Sequence, residues 1–115
     1  MKDYSFSVSF SQSKSGHKIP IVNGVYLHSA FDPVKEAEAL VIENEKNFEK
    51  ENNILILGLG YGYHVNEIRS KLVLNFGSDY KIYIIEPNSN IVNLVNEDKI
   101  LYDGQIKIIL SLIHI

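Results

Sequence analysis

The most restrictive feature of this chain is a short apolar run that leads directly into a glycine-rich turn. Ile54–Leu57 is wholly apolar, and Gly58-Leu-Gly-Tyr-Gly62 follows it at once. A short apolar run bounded by Asn53 and Gly58 is typical of a parallel strand that is buried on both faces. Glycine tolerates positive φ and lets a ligand come close to the backbone. The segment therefore predicts a strand, a tight turn and then a helix.

Strand and helix patterns alternate after this turn. The predicted elements are a helix with its buried face at Val65, Ile68 and Leu72 and its end at Gly77, a strand at Lys81–Ile85, a helix capped by Asn88 or Ser89, and a strand at Ile106–Ile109. Strands that alternate with helices indicate a parallel sheet. The predicted fold class is therefore α/β, with a Rossmann-like parallel sheet that is partial and truncated and is preceded by an N-terminal β-hairpin.

The segment before the sheet is predicted to be rich in β-structure. Apolar residues alternate with polar ones near the N-terminus, as in a half-buried strand: Tyr4, Phe6, Val8 and Phe10. A loop is expected at Ser11–Gly16. Lys18–Val22 and Val25–His28 then flank Asn23-Gly24, a strong hairpin signal because both turn residues need positive φ. Pro20 cannot donate to a ladder, which predicts that its strand lies at a sheet edge.

A capped helix is predicted between the hairpin and the apolar strand. Asp32 suits the N-cap and Pro33 the first helical position, where no N–H is needed. Four apolar residues recur at helical spacing: Val34, Ala37, Val41 and Phe48. We expect this helix to run to about Glu49.

The chain is divided into a strand and hairpin at 1–30, a Rossmann-like core at 31–109 and a tail at 110–115. The tail, Leu-Ser-Leu-Ile-His-Ile, resembles the translation of a transposon adapter used in sequencing libraries; the alternative is an ordinary apolar strand end. We interpret it as a non-native tail, which implies a longer natural protein.

Composition narrows the classes of function. The 115 residues, 45% of them hydrophobic, suffice for one domain, and a net charge of −3 argues against a nucleic-acid partner. The chain has no cysteine, and no His, Asp or Glu set has metal-ligand spacing, so no metal is predicted. No secretory signal or apolar run of membrane-spanning length is present, so we expect a cytoplasmic protein without a membrane partner.

The candidate ligand-binding residues lie at the glycine turn and at the tip of the next strand. The helix after the turn presents N–H groups and the positive end of its dipole to a ligand. Glu86 is placed to accept hydrogen bonds from ribose hydroxyls, and His64 to contact a phosphate or exchange a proton. The assigned cofactor-binding residues are Gly58, Gly60, Tyr61, Gly62, His64 and Glu86. The alternatives are a ligand-free turn, a solvated Glu86 and a capping or surface His64.

A second group of residues lies where the hairpin leads into the capped helix. His28, Ser29 and Asp32 are candidates to line the same cleft. The alternative is that they only shape a turn.

The glycine spacing does not decide between ligands. Gly58, Gly60 and Gly62 fit the methyltransferase pattern acid-x-G-x-G-x-G better than the dinucleotide pattern G-x-G-x-x-G. The acidic position of the methyltransferase pattern falls on Ile56, however. A nucleotide-sugar and an S-adenosylmethionine-type ligand both remain open as the cofactor.

Three segments together resemble the motility accessory factor family of flagellin glycosylation proteins, which is related to archaeal 6-hydroxymethylpterin pyrophosphokinase-like proteins. They are Asn23-Gly-Val-Tyr-Leu-His-Ser-Ala-Phe-Asp-Pro-Val-Lys-Glu-Ala37, Ile54-Leu-Ile-Leu-Gly-Leu-Gly-Tyr-Gly-Tyr-His64 and Ile84-Ile-Glu-Pro87. The resemblance covers residues 22–87 and implies the N-terminal Rossmann-like region of a longer protein. It implies transfer of a sialic-acid-like sugar from a nucleotide-activated donor to flagellin.

Three functions follow as hypotheses. The first is a fragment of a motility accessory factor-like glycosyltransferase, inactive alone, with flagellin as a partner of the full-length protein. The second is a class I methyltransferase core, and the third a non-catalytic docking domain, since fold does not imply function. For the first two hypotheses, a small nucleotide-type ligand is the expected partner of the turn. No catalytic residue is assigned.

Overall fold

The chain folds into an antiparallel and a parallel sheet of three strands each. The computed structural model describes residues 8–101 and 103–110. Its elements are β1 (Val8–Gln12), β2 (Lys18–Val22), β3 (Val25–Tyr26), α1 (Pro33–Glu43), α2 (Glu45–Lys50), β4 (Asn53–Leu57), α3 (Tyr63–Phe76), β5 (Lys81–Glu86), α4 (Ser89–Glu97) and β6 (Ile106–Leu110). The strand orders are β1-β2-β3 and β4-β5-β6. The α/β class with a Rossmann-like parallel sheet behind a hairpin is confirmed.

The parallel sheet has β5 at its centre. Ile84 of β5 is in register with Ile56 of β4 on one side and Ile108 of β6 on the other. Ile56 and Ile84 belong to one buried cluster with apolar residues of α3 and α4. The predicted buried face of α3 is confirmed at Val65, Ile68 and Leu72. The helix ends at Gly77, whose φ of 62° confirms the predicted stop.

The prediction that β4 is buried on both faces is wrong. Ile56 is buried, but Leu55 is 60% exposed and Leu57 77% exposed. Successive side chains of a strand point to opposite faces, and the helices that join the core cluster cover the face of Ile56. In the described part of the chain, no element covers the face that carries Leu55 and Leu57.

The hairpin turn is confirmed, whereas the edge position of Pro20 is wrong. Asn23 and Gly24 have φ of 51° and 81°, as a type I′ turn requires. β2 lies between β1 and β3. Proline is tolerated there because β3 ends at Tyr26. The Leu27 N–H still donates to the Pro20 carbonyl, and the one ladder bond that is missing is the bond that an N–H at position 20 would donate to Leu27.

The N-terminal strand is confirmed in part. Val8 and Phe10 lie in β1, which extends to Gln12 and so includes two residues that were expected to be in the loop. The strand pairs with β2 from Val8 opposite Val22 to Gln12 opposite Lys18. Tyr4 and Phe6 lie outside the described residues.

The single helix predicted from Asp32 to about Glu49 is instead two helices. Its start is as expected: the Asp32 side chain accepts the Lys35 N–H, and Pro33 is in the first turn. The break falls at Asn44, whose side-chain amide donates to the Leu40 carbonyl at 2.8 Å. An asparagine side chain that bonds to the backbone competes with the helical pattern, and α2 begins at the next residue.

The C-terminal tail lies largely outside the described residues. Leu110 is the last residue of β6 and is in register with Glu86, whereas 111–115 are not described. The interpretation of 110–115 as a non-native tail stays a prediction, as does the domain division. No helix within the described ranges has the length and apolar character needed to cross a bilayer.

Candidate ligand-binding site

The glycine turn joins the carboxyl end of β4 to the start of α3. Gly58, Gly60 and Gly62 have φ of 97°, 54° and 87°. The Gly58 N–H continues the sheet by donating to the Ile85 carbonyl, and the Gly62 N–H closes the turn on the Leu59 carbonyl. A residue with a Cβ would be strained at each of these φ values. The turn thus has the backbone geometry that its sequence indicates.

Glu86 fixes the turn from the neighbouring strand. Its Oε1 accepts the Leu59 N–H and its Oε2 accepts the Asn88 N–H, both at 3.0 Å. The side chain is buried, so it is not a solvated loop acid. Each carboxylate oxygen has a second lone pair, and both can still accept a hydrogen bond from a ligand.

Two histidines also bind the turn. The Nε2 of His28 accepts the Tyr61 N–H at 2.9 Å, so His28 is neutral with its proton on Nδ1. His64 is bonded through Nε2 to the Gly58 carbonyl at 2.9 Å. A carbonyl can only accept, so His64 carries a proton on Nε2. A Cβ built on Gly60 would lie 2.6 Å from the His28 ring, which shows how closely ring and turn are packed.

The neutral state of His28 predicts a loss of stability in acid. Burial, with a smaller contribution from His64, lowers the pKa of His28 from 6.5 to about 4. A base with a depressed pKa in the folded state stabilises the fold above pH 6.5, and this contribution is lost as the pH falls towards 4. We expect His28→Gln, whose side-chain oxygen can still accept the Tyr61 N–H, to flatten the fall in unfolding free energy over this interval. Urea titrations at several pH values measure it.

His17→Gln provides the control for this measurement, since His17 is bonded to Ser15 outside the turn. An unchanged pH profile in His28→Gln would show that His28 is not the group responsible.

A cavity of about 600 Å³ opens beside the turn. Its walls come from the end of the hairpin, from α1, and from the ends of β4 and β5. The lining residues are Leu27, His28, Glu36, Ala37, Ala39, Leu40, Glu43, Leu57, Gly58, Gly60, His64 and Glu86. The structure thus brings together five of the sequence candidates: Gly58, Gly60, His64 and Glu86, with His28 from the second group.

Tyr61 and Gly62, also assigned to ligand binding, do not line this cavity. The Tyr61 hydroxyl donates to Asp98 at 2.5 Å, and burial together with this contact raises the pKa of Tyr61. The Tyr63 hydroxyl donates to the Lys18 carbonyl at 2.6 Å. Gly62 faces Ile100, whose nearest atom is 3.2 Å from a Cβ built there. Because both tyrosines are held elsewhere, the cavity beside Glu86 is open.

Ser29 and Asp32 do not line the cavity either. The Ser29 hydroxyl accepts the N–H groups of Phe31 and Asp32 at 3.2 and 3.3 Å. Asp32 caps α1 by accepting the Lys35 N–H at 3.1 Å. Their geometry is that of a turn and a helix cap.

Sequence reasoning missed the wall that α1 contributes. Glu36, Leu40 and Glu43 line the cavity together with Ala37 and Ala39. Residues at i, i+4 and i+7 lie on one face of a helix, so this spacing was the available signal. The spacing did not show whether this face of α1 would pack against another element or line a cavity.

Comparisons with known proteins agree on the fold. No protein-family model and no curated protein matches the chain. Among solved structures, MnmC2 from Aquifex aeolicus aligns with a TM-score of 0.59 at 18% identity, over 96% of this chain and 44% of that one. A spermidine synthase in complex with the transition state analogue AdoDATO aligns with a TM-score of 0.69 at 15% identity, over 96% of this chain and 38% of that one.

The chain shares a Rossmann-like α/β fold with these two structures. It spans less than half of the length of each of these two structures. Neither match bears on the resemblance to motility accessory factors, which stays a prediction.

Proposed function

We propose that the chain binds an S-adenosylmethionine-type ligand, as the core of a class I methyltransferase-like enzyme. The observation that carries this proposal is the open cavity bounded by Gly58, Gly60 and Glu86. In open α/β sheets, ligands bind outside the carboxyl ends of the strands. This cavity lies at that end of β4 and β5, in a chain whose solved neighbours share the fold.

The cavity walls suit a nucleoside. Glu86 has one unused lone pair on each carboxylate oxygen and can accept both ribose hydroxyls. Leu27, Leu40 and Leu57 provide apolar surface for a base. Gly58, where a Cβ would meet no atom of the described residues within 4 Å, allows the ligand to come close to the backbone. The chain's own residues would hold and orient the ligand, which when bound would supply an activated methyl group.

Calorimetric titration of the 115-residue chain with S-adenosylmethionine and S-adenosylhomocysteine tests the proposal. We expect saturable binding of both compounds, weakened about tenfold in Gly60→Ala. The added methyl group meets the His28 ring at 2.6 Å at a φ of 54°, so the turn must shift. A shift of this size at a binding site costs on the order of 1–3 kcal/mol.

Gly104→Ala is the matched control, because a Cβ at Gly104 meets no atom of the described residues within 4 Å. An absence of heat with both compounds, in a chain that unfolds cooperatively, would contradict the proposal. That result would favour a non-catalytic docking domain instead.

A second candidate function is sugar transfer of the motility accessory factor kind. The observation in its favour is that the three resembling segments supply His28, the glycine turn and Glu86, which share the cavity. The ligand would then be a nucleotide-activated sugar and flagellin the acceptor. Titration with CMP- and UDP-sugars tests it: tighter binding of either than of S-adenosylmethionine would favour this function over the first.

A further inference from the structure

Within the described part of the chain, the charged residues that line the cavity are all acidic. Glu36 and Glu43 extend from α1 and Glu86 from β5, and no lysine or arginine is among these lining residues. His28 is neutral, because its Nε2 accepts a backbone N–H. A cavity of this kind favours positive charge and repels the phosphates of a nucleotide.

The two carboxylates of α1 that line the cavity are not neutralised by a charged residue of the described chain. Neither Glu36 nor Glu43 is in an ion pair within the described residues, whereas Glu45 on α2 pairs with Lys71 at 2.9 Å. Glu36 is oriented by the Ser29 N–H, which donates to its Oε1 at 3.2 Å. In the same part of the chain, no group of three or more His, Asp or Glu residues could hold a metal ion. A charge carried by the ligand itself is therefore the fitting counterpart.

The strand before the glycine turn provides no acid of its own. The acidic position of the methyltransferase pattern is occupied by Ile56, and Ile56 is buried in the core. The helix α1, which packs beside α3, places Glu36 and Glu43 at the cavity instead. The negative charge is thus present at the site, but on a different element.

We propose that Glu36 and Glu43 bind the positively charged part of the ligand, so that the cavity selects a sulfonium- or ammonium-bearing nucleoside over a nucleoside diphosphate. This inference rests on the proposed function and adds the charge that the ligand must carry. It assigns the nucleoside part to Glu86 and the glycine turn, and the cationic part to α1.

Binding of four adenosine compounds of graded charge tests the inference. The probes are S-adenosylmethionine, S-adenosylhomocysteine, the uncharged 5′-methylthioadenosine, and ADP. We expect the sulfonium compound to bind most tightly and ADP most weakly. The double variant Glu36→Gln/Glu43→Gln should weaken the binding of S-adenosylmethionine by about fivefold, as for partly exposed ion pairs. It should leave the affinity for 5′-methylthioadenosine unchanged.

The matched control is Glu49→Gln/Glu51→Gln, which removes the same charge from exposed positions outside the cavity. This variant should bind all four compounds as the unaltered chain does. A similar loss of S-adenosylmethionine binding in the control would show that the effect depends only on the net charge of the chain, and it would overturn the inference.

The outcomes separate the two proposals. If none of the four compounds binds, the proposed function fails and the inference with it. If 5′-methylthioadenosine and S-adenosylmethionine bind equally, and the double variant changes neither, the nucleoside site stands and only the inference is overturned. Raising the salt from 0.05 to 0.5 M should weaken the binding of S-adenosylmethionine most and leave the binding of the uncharged 5′-methylthioadenosine unchanged, since salt screens exposed charges.

Discussion

Replacing Ile84 with alanine is expected to lower the free energy of unfolding by about 3 kcal/mol. Ile84 is fully buried at the centre of the parallel sheet. It is in register with Ile56 on one side and Ile108 on the other. The shortened side chain removes apolar contacts and leaves a cavity that three strands cannot easily close. Urea denaturation followed by circular dichroism measures the change.

Leu55→Ala is the control, because Leu55 is apolar and in the same sheet but lies on the uncovered face. Leu55→Ala should lower the free energy of unfolding by less than about 1 kcal/mol, because the exposed side chain of Leu55 buries little apolar surface. An equal loss in both variants would show that the face of Leu55 is covered in solution. The sheet would then not be one-sided.

Local signals in the sequence sufficed for the elements whose geometry is set by one or two residues. The Asn23-Gly24 turn has the positive φ values that its residues favour, and Asp32 caps α1 as its position before proline indicates. Gly77 ends α3 in the same manner. Each of these outcomes depends on the conformational preference of a residue and not on distant packing, so a single sequence carries the information.

Errors arose where the outcome depends on what packs against an element. An apolar run such as Ile54–Leu57 is the same whether one or both faces of the strand are covered, and here one face is bare. Pro20 occupies a central strand because β3 is only 2 residues long. The helix break at Asn44 depends on one side-chain bond to the backbone, which helical periodicity does not reveal.

In the candidate site, too, some features follow from the local sequence and others depend on packing. Gly58, Gly60 and Glu86 could be placed from the sequence, since carboxyl ends of parallel strands meet at one edge of the sheet. The direction of Tyr61 depends on Asp98, which is 37 residues away. The acidic wall depends on the packing of α1 beside α3. Neither contact has a signature in the local sequence.

Glu86→Ala should remove both the anchor of the turn and the ligand contact. The Leu59 and Asn88 N–H groups, which Glu86 now satisfies, would be left without their partners at buried positions. Each such loss costs about 1–3 kcal/mol, so we expect the free energy of unfolding to fall by about 2–4 kcal/mol. Affinity for S-adenosylmethionine should fall about 100-fold, since two charge-assisted hydrogen bonds to ribose are lost as well.

Glu86→Gln separates these effects. Its oxygen can replace one acceptor, but its amide nitrogen would face an N–H group and cannot accept from it. We therefore expect a loss of stability about half as large as in Glu86→Ala, whereas Glu49→Ala at an exposed position should cost less than about 0.5 kcal/mol. Calorimetry and urea denaturation on the same three variants provide both readouts. Unchanged affinity in Glu86→Ala, at a temperature where the variant stays folded, would mean that the ligand does not contact this carboxylate, and the nucleoside site would have to lie elsewhere.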